Sequence, residues 1–309
     1  TFTVADGLPE DRVRDIIFDK KNDLWIASRE GLVKFRNNTF EVFDEKHGLN
    51  NVRVQTIVID NEERIWIGTE GGVSLFENER FKNFTTENGL SNSIIYSSIL
   101  DKEGNIWFGT YGGGPNLFLG DYFENFTTEE GLSNDVVTSI IEDEDDIFWI
   151  ATYGGGLSKF QNGEFETLSL SGEVLDDKVF SLNKDSKGRI WVGMRNGLGY
   201  LENGEFYVFN ERDFPYRKVR HVYEDADGTY WISTYDEGMI RYDGDTFTQI
   251  TIENGLADDT ILSSVRGDDG SIWMATYGGV SRYYEGEVEN FTIQEGLPNN
   301  AVMMVKKDN

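Results

Sequence analysis

Seven tryptophans, spaced almost evenly along the chain, restrict the fold more than any other feature. They lie 40 to 42 residues apart, and each stands in the same short phrase, such as IWIGT or FWIAT. A fixed period of this length is typical of a repeat architecture, so the sequence predicts seven copies of one structural unit. The seven are Trp25, Trp66, Trp107, Trp149, Trp191, Trp231 and Trp273.

Each unit reads as four short strands, which we call A to D. Strand A is a β-branched run such as VRDIIF (13–18), strand B carries the tryptophan, and strands C and D resemble LSKF (157–160) and FETL (165–168). An acidic turn joins A to B, a glycine-rich turn joins B to C, and Asn162-Gly163 is a strong signal for a two-residue hairpin between C and D. Four antiparallel strands in about 40–45 residues form the blade of a propeller. We therefore predict an all-β fold, a seven-bladed β-propeller of four-stranded antiparallel blades.

Strand B is apolar on both of its faces, as in Ile65-Trp66-Ile67. A blade that is apolar on both faces has to be covered by neighbours on both sides, which a propeller provides. The residue two positions after each tryptophan is always small, and we interpret this as close packing between blades. These residues are Ala27, Gly68, Gly109, Ala151, Gly193, Ser233 and Ala275.

The two ends of the chain overlap in pattern. FTV (2–4) resembles FTI (291–293), and AVMMV (301–305) looks like an eighth strand A. We predict one propeller domain over residues 1–309, with overlapping partial repeats at 1–12 and 291–309, within a longer protein. Either residues 1–4 or 301–305 pair with the opposite end and close the ring, or the chain belongs to a longer array, and both alternatives can hold together.

Charge and composition exclude several classes of partner and chemistry. The chain has 56 acidic and 28 basic residues, a formal net charge of -28, which disfavours nucleic acid and anionic membranes as partners. It has no cysteine, so disulfides, thiolate chemistry and cysteine-ligated zinc are excluded. No run of about 18 apolar residues occurs, so a membrane would be reached only through segments absent from this chain.

Several phrases resemble the two-component regulator propeller repeat. They are GNIWFGTYGGG (104–114), DIFWIATYGGGLSKF (146–160) and NGEFETL (162–168). The resemblance implies a periplasmic or extracellular sensor module from a bacterial membrane-bound regulator, of the kind found in hybrid two-component systems that detect glycans. It carries over no catalytic residue and no cofactor, because the motif of this family is structural.

Propeller geometry places the B–C turns and the D–A connections on one face, around the mouth of the channel. The first residues after strand B are Arg29, Glu70, Tyr111, Tyr153, Arg195, Tyr235 and Tyr277, and the D–A connections add Glu10, Asn51, Asn92, Asn134, Asp176, Tyr216 and Asp258. Tyrosine offers a flat apolar ring and a polar tip, which suits a sugar ligand. The alternative is that each tyrosine packs on the next blade, since repeats preserve structure first.

One region departs from the repeat. Blade 5 has Met194-Arg195-Asn196-Gly197 in its B–C turn, and ERDFPYRKVR (211–220) leads into blade 6. We predict a subsite for a carboxylate or sulfate there, because arginine binds such groups bidentately. Its contacts would be Arg195, Tyr216, Arg217 and Lys218. The alternative is a divergent loop whose cations neutralise neighbouring acids.

The sequence therefore favours an extracytoplasmic ligand-sensing or interaction domain without catalysis. Its partners would be an oligosaccharide or other small ligand, and a protein partner or a second copy bound through neighbouring domains. Two alternatives remain: a lyase acting at the funnel, with His221 beside Glu224 or Tyr223 as the candidate base, and a structural dimerisation module. The acidic run 142–146 lacks EF-hand spacing and is read as a solvated turn, so no metal or cofactor is expected.

Overall fold

The computed structural model describes residues 8–10, 13–168, 178–297 and 299–305. Within these residues the chain forms seven four-stranded antiparallel sheets, and the strands of each sheet follow one another in chain order. The fold is a seven-bladed β-propeller, as predicted. The helical segments of this described part are single 3-10 turns at Glu45–His47, Thr86–Asn88 and Ile252–Asn254, none of which approaches the length needed to cross a membrane.

The chain divides into two compact units, and the N-terminal unit holds blades 1 to 4. In blade 1 the strands are β1 (Val13–Phe18), β2 (Leu24–Ser28), β3 (Leu32–Arg36) and β4 (Thr39–Phe43). Blade 2 has β5 (Val54–Ile59), β6 (Ile65–Thr69), β7 (Gly72–Glu77) and β8 (Arg80–Phe84). Blade 3 has β9 (Ile95–Leu100), β10 (Ile106–Thr110), β11 (Pro115–Phe118) and β12 (Phe123–Asn125). Blade 4 has β13 (Val137–Glu142), β14 (Phe148–Thr152), β15 (Gly156–Gln161) and β16 (Glu164–Leu168).

The C-terminal unit holds blades 5 to 7. Blade 5 has β17 (Val179–Lys184), β18 (Ile190–Met194), β19 (Gly197–Glu202) and β20 (Glu205–Val208). Blade 6 has β21 (Val219–Glu224), β22 (Tyr230–Thr234), β23 (Met239–Tyr242) and β24 (Phe247–Ile250). Blade 7 has β25 (Ile261–Arg266), β26 (Ile272–Thr276), β27 (Val280–Tyr284) and β28 (Glu287–Phe291).

The repeated tryptophan is anchored by a hydrogen bond to the A–B turn. In blades 1, 2, 3, 5 and 6 the indole Nε1 donates to an aspartate six residues earlier, over 2.8 to 3.4 Å. In blade 2 this aspartate, Asp60, also accepts from Nε and the main-chain N of Arg64, at 2.6 and 2.9 Å. One carboxylate therefore closes the turn and fixes the tryptophan at the same time.

The body of each tryptophan ring packs within its blade and against the next one. Trp66 stacks on Phe84 of its own strand D, with ring centroids 6.0 Å apart, and meets Phe118 of blade 3 at 4.6 Å. Trp191 repeats this arrangement with Phe209 of its own blade and Tyr230 of blade 6. The predicted burial is confirmed for six tryptophans, which are at most 4% exposed. Trp273 is the exception, because it is half-buried.

Blade 7 also differs at the anchoring position, where Gly267 stands in place of the aspartate. A Cβ atom added to Gly267 would lie 3.0 Å from Nε1 of Trp273. The ring of Trp273 stacks on Phe291 at 5.3 Å and has the Arg282 guanidinium 5.6 Å above it. The tryptophan register is therefore kept in blade 7 without the carboxylate anchor.

The small residue after each tryptophan makes room for the neighbouring blade. A Cβ atom on Gly68 would lie 2.6 Å from Cγ2 of Ile95 in blade 3, and one on Gly109 would lie 2.7 Å from Cγ1 of Val137 in blade 4. The predicted close packing between blades is thus confirmed at these positions. Within each unit the first strands of successive blades also lie against one another.

The C–D hairpins have the predicted turn. Asn162 and Gly163 have φ angles of 54° and 83°, and Asn203 and Gly204 have 52° and 79°. Two successive positive φ angles define a type I′ turn, in which asparagine and glycine are the favoured residues.

The C-terminal segment 301–305 lies on blade 7. The main-chain N of Val302 donates to the carbonyl of Thr276 at 2.9 Å, and that of Val305 donates to Oγ of Ser263 at 2.8 Å. The second contact repeats one between blades 1 and 2, where Ile57 N donates to Asp15. The segment is therefore seated like the strand A of a following blade. Residues 1–4 lie outside the described residues, and closure of the ring stays a prediction.

The burial of the tryptophans leads to a stability prediction. Trp149→Ala should lower the free energy of unfolding by roughly 3–5 kcal/mol, because a large buried ring is replaced by a cavity. Trp273→Ala is the matched control and should cost clearly less, since its ring is already partly in solvent. Urea unfolding followed by circular dichroism measures both, and equal losses would contradict this account of blade packing.

A second prediction concerns the anchoring carboxylate. Burial alone would raise the pKa of Asp60, but hydrogen bonds from Trp66 and Arg64 outweigh it and lower that pKa. The ionised carboxylate therefore stabilises the fold at any pH above the ordinary aspartate pKa of about 3.9. This stabilisation is lost as the pH falls through the lowered pKa of Asp60. Asp60→Asn should cost about 1–3 kcal/mol at pH 7 and flatten the loss of stability below pH ~4. The exposed Asp121→Asn is the control in the same unfolding assay, and a matching effect there would refute the anchor.

Candidate ligand-binding face

The B–C turns interlock with the D–A connections, as the propeller reading predicts. In blade 2 the Asn50 side chain donates to the carbonyl of Gly71 at 2.7 Å. In blades 3 and 6 a turn glycine donates its main-chain N to the next D–A connection, Gly112 to Asp135 and Gly238 to Asp259. These bonds place the two sets of loops together on one face within each unit.

Most D–A residues predicted to face the ligand instead support their own loop. The side-chain oxygen of Asn51, Asn92, Asn134 and Asp258 in each case accepts from the main-chain N two residues later, at 2.7 to 2.9 Å. This local bond shapes the turn before strand A. Asp176, the corresponding residue of blade 5, lies outside the described residues.

In the N-terminal unit two tyrosines project from this face. Tyr111 is 48% exposed and Tyr153 is 45% exposed. Tyr111 meets the ring of Tyr96 edge-on, with centroids 5.4 Å apart. Burial raises the pKa of Tyr96, and Tyr111 and Glu70 raise it further, while Arg14 opposes them. The predicted tyrosine is thus joined by a strand-A tyrosine that the sequence analysis did not single out.

In blades 1 and 2 the first residue after strand B is Arg29 and Glu70, respectively. Arg29 has an acidic partner, and Glu70 is itself acidic. The main-chain N of Arg29 donates to the Glu10 carboxylate, and the arginine is exposed. Glu70 accepts from Arg53 at 3.0 Å and from Gln55 at 2.8 Å.

In the C-terminal unit, Tyr235 and Tyr277 occupy the matching positions and are 40% and 41% exposed. Lys218 stands beside Tyr235, with Nζ 5.6 Å from the ring centroid, and forms an ion pair with Asp236. Its φ is 51°, so the backbone is left-handed at this point of the divergent loop. The lysine therefore lies next to an exposed tyrosine, as a rim position requires.

Arg195 and Arg217 flank this lysine differently. Arg195 is exposed, and its carbonyl accepts from the main-chain N of Lys218 at 2.7 Å. Arg217 points its guanidinium toward Glu211 at 3.8 Å, and both side chains are largely in solvent. We call Arg195, Arg217 and Lys218 the basic island. Its charge is partly neutralised by Glu211, which pairs with Arg217, and by Asp236, which pairs with Lys218.

Tyr216 is less accessible than predicted. It is half-buried and meets Phe214 edge-on at 5.1 Å, as part of the hydrophobic cluster around Trp191. Burial raises the pKa of its hydroxyl, and Glu237 adds to this. Its ring mainly packs the divergent loop onto blades 5 and 6.

The structure adds Arg220, the second residue of β21, to the site. Its guanidinium lies over the ring of Phe180 in blade 5, 5.3 Å from the centroid, and its side chain is exposed. Arg220 shares its register with Tyr96 of β9, so both are strand-A residues that reach solvent. Both stand at the register shift between strands A and B, so regular alternation along strand A does not identify them from the sequence.

His221 and Glu224 do not form the catalytic pair considered from the sequence. Nδ1 of His221 is buried and has no hydrogen-bond partner among the described residues. Glu224 instead accepts from Oγ of Ser186 at 2.9 Å and from the hydroxyl of Tyr230 at 3.2 Å. Three positions apart on one strand, His221 and Glu224 point to opposite faces.

The acidic A–B turn of blade 4 is engaged by lysine. Lys102 donates its main-chain N to Glu142 at 2.8 Å and reaches Asp146 with Nζ at 3.3 Å. In the part of the chain that the structure describes, no cluster of three His, Asp or Glu side chains is arranged to hold a metal ion.

Five segments match the family model for the two component regulator propeller, at residues 7–30, 48–71, 89–112, 131–154 and 213–236. The chain carries two component regulator propeller repeats. Each match covers a D–A connection, strand A, strand B and the start of the B–C turn. No curated protein sequence matches the chain.

Solved structures with the same fold belong to proteins of different kinds. An extracellular domain described as that of the hybrid two component system BT4673 from B. thetaiotaomicron is 18% identical, with a TM-score of 0.68 over 91% of this chain and 41% of that one. PorZ of Porphyromonas gingivalis, a surface component of the type-IX secretion system, is 16% identical, with a TM-score of 0.67 over 92% and 48%. Virginiamycin B lyase from Staphylococcus aureus is 13% identical, with a TM-score of 0.63 over 85% and 91%. The present chain spans less than half the length of the BT4673 domain and of PorZ. At these identities the similarity is one of fold.

His221 gives this propeller a testable pH dependence. Burial lowers its pKa, so the folded protein keeps the imidazole neutral while the unfolded chain takes up a proton below about pH 6.5. Stability should therefore fall as the pH drops from about 6.5 toward the lowered value. We expect His221→Gln to reduce this loss between pH 7 and 5 in thermal melts, whereas the exposed His47→Gln should retain it. Identical slopes for His221→Gln and the native chain would show that this histidine is not held neutral.

Proposed function

We propose that this chain is an extracytoplasmic ligand-sensing or interaction propeller of a bacterial signal-transduction protein and that it is not an enzyme. Its five family matches and the fold it shares with an extracellular domain of a two-component system support this role. A periplasmic or extracellular location follows from the same proposal.

The observation that carries a ligand on the B–C face is the repeated exposure of tyrosine there. Four tyrosines in the same register after strand B are each 40% to 48% exposed, whereas six of the seven strand-B tryptophans are at most 4% exposed. A tyrosine ring gives a sugar a flat apolar surface, and its hydroxyl gives a hydrogen-bonding group at low entropic cost. We therefore propose an oligosaccharide as the ligand class. The four are Tyr111, Tyr153, Tyr235 and Tyr277.

The basic island adds a preference for acidic sugars. Arg195 lies in the B–C turn of blade 5, and Arg217 and Lys218 lie in the connection to blade 6. Of the three, Lys218 stands beside the ring of Tyr235. The ion pairs of Arg217 and Lys218 are between solvent-exposed groups, and such pairs contribute only about 0–1 kcal/mol. A ligand carboxylate or sulfate can therefore replace Glu211 or Asp236 at little cost.

Signal transmission in this proposal uses neighbouring segments of a longer protein. Ligand binding would change how the propeller packs against a partner domain, a protein partner or a second copy. The change would then bias a downstream element between two states, which requires that the ligand bind one state better than the other.

The lyase alternative is favoured by one comparison, the propeller fold of virginiamycin B lyase, of which a histidine-to-alanine variant is described as catalytically inactive. A general base must come within hydrogen-bond distance of the substrate proton. The Nδ1 of His221 is buried and Glu224 is held by Ser186 and Tyr230, which supports binding without turnover. Mass analysis of reaction products, with His221→Ala as the control, separates the two classes. A dimerisation module would instead bind no glycan and change mass with concentration.

The test of this proposal is a glycan array followed by calorimetry. For a glycan that binds, Tyr235→Ala and Arg217→Ala should each weaken binding about tenfold or more, because stacking area or a charge-assisted hydrogen bond is lost. The matched control is Tyr122→Ala, a tyrosine 59% exposed in the C–D turn of blade 3, which should leave the affinity unchanged. Binding that neither substitution weakens would place the ligand elsewhere, and an array without any ligand would refute glycan sensing.

A further inference from the structure

Arg220 differs from the arginines of the C-terminal unit that are held by aspartate. Arg189, Arg266 and Arg282 of this unit each form an ion pair with a buried or half-exposed aspartate. Among the residues that the structure describes, Arg220 forms an ion pair with no Asp or Glu, and its one recorded contact is the Phe180 ring, 5.3 Å below the guanidinium. It is therefore a cation that an acidic chain leaves without an acid.

The surroundings of Arg220 are partly desolvated although solvent reaches the side chain. Burial lowers the pKa of its guanidinium, and Tyr235 and Tyr277 are near enough to oppose that shift electrostatically. A charge that loses hydration and gains no counter-ion destabilises the folded protein. Such a cost is typical of a binding residue whose partner is supplied from outside.

We propose that Arg220 is the anion-binding centre of the B–C face, and that it takes the carboxylate of a small monoanionic ligand between Phe180, Tyr235 and Tyr277. This inference rests on the proposed function and names the group by which the same face recognises its ligand. Phe180 holds the guanidinium plane from one side, so its edge donors remain available to a carboxylate. The two tyrosines, both about 40% exposed, provide walls for the rest of the ligand.

A carboxylate suits this position better than a multiply charged anion. The guanidinium edge matches the two oxygens of a carboxylate bidentately. The formal net charge of -28 repels polyanions. Arg220 offers one positive charge, whereas Lys218 and Arg217 would bind a second negative group only by displacing Asp236 or Glu211. One unpaired positive charge therefore balances one negative charge on the ligand.

The same register in the N-terminal unit holds Arg14 in β1 and Tyr96 in β9. Glu70 raises the pKa of Tyr96 and Arg14 opposes that shift, so the cation of this unit acts close to an acid. A carboxylate ligand there would meet Glu70 as well as Arg14. The preference for an anion is thus assigned to Arg220 in the C-terminal unit.

The experiment titrates the full chain with D-glucuronate, and separately with D-glucose, inorganic sulfate and inorganic phosphate, by calorimetry or NMR. We expect glucuronate to bind more tightly than glucose and than either inorganic anion. Arg220→Ala should weaken glucuronate binding at least tenfold, and Arg220→Lys should restore only part of it, because lysine keeps the charge but not the fork. The matched control is Arg80→Ala, an exposed arginine of strand D in blade 2. Thermal melts of each variant verify that it is folded.

Three outcomes overturn the inference. If the native chain and Arg220→Ala bind glucuronate with equal affinity, the carboxylate binds elsewhere. If glucose and glucuronate bind with equal affinity, the site does not recognise an anion. Tighter binding of phosphate or sulfate means a phosphate- or sulfate-type site and refutes the carboxylate. If a ligand found on the glycan array binds Arg220→Ala as tightly as the native chain, this inference fails and the proposed function stands. Glucuronate binding through Arg220 with an empty array would instead retain the anion site and refute glycan sensing.

Discussion

The hydrogen bond from the tryptophan indole to the aspartate six residues earlier, found in blades 1, 2, 3, 5 and 6, is the interaction on which the rest of these blades depends. It ties strand B to the A–B turn and fixes the indole plane, so that one edge is satisfied and both faces remain apolar. A buried indole N–H without a partner would cost about 1–3 kcal/mol, and the ring packs against an aromatic ring of the next blade, as Trp66 does on Phe118 and Trp191 on Tyr230. In blade 2 the same carboxylate holds Arg64, whose guanidinium lies 5.7 Å over the Trp66 ring. The charge of the A–B turn is therefore structural.

This use of carboxylates explains why a chain of net charge -28 can fold into closely packed sheets. Asp60 and Asp185 are buried, but each accepts from an indole, an arginine and main-chain groups, so the pKa of each is lowered although burial alone would raise it. Arg64 forms an ion pair with Asp60, and Arg189 forms one with Asp185. The electrostatic field that remains outside is strongly negative, and cations on the B–C face act against that background. An arginine without an acidic partner is for this reason conspicuous.

The fold was predictable because its signals are local and repeated. The tryptophan period, the Asn-Gly turns and the small residue after each tryptophan each specify a feature that the structure contains at the predicted place. The site was less predictable, because its members differ in tertiary partners that the sequence does not reveal. Tyr216 reads as a rim residue but packs on Phe214, while Arg220 reads as one of four cations and is distinguished only by its stacking on Phe180. The half-buried Trp273 likewise depends on what covers blade 7, which is not a local property.

The backbone explains how the repeat can hold its shape and still vary at the ligand face. In blades 2 to 6 the first residue after strand B donates its main-chain N to the carbonyl of the residue just before strand A, whatever its side chain is: Glu70 to Arg53, Tyr111 to Ile94, Tyr153 to Val136, Arg195 to Lys178 and Tyr235 to Lys218. Because the structural bond uses no side-chain atom, substitutions there leave the blade intact. The second residue of strand A has the same freedom, since it projects to solvent in blades 3 and 6. These two registers are where a propeller of this kind can change its ligand without changing its fold. Tyr235 occupies the register after strand B, and Arg220 occupies the second position of strand A.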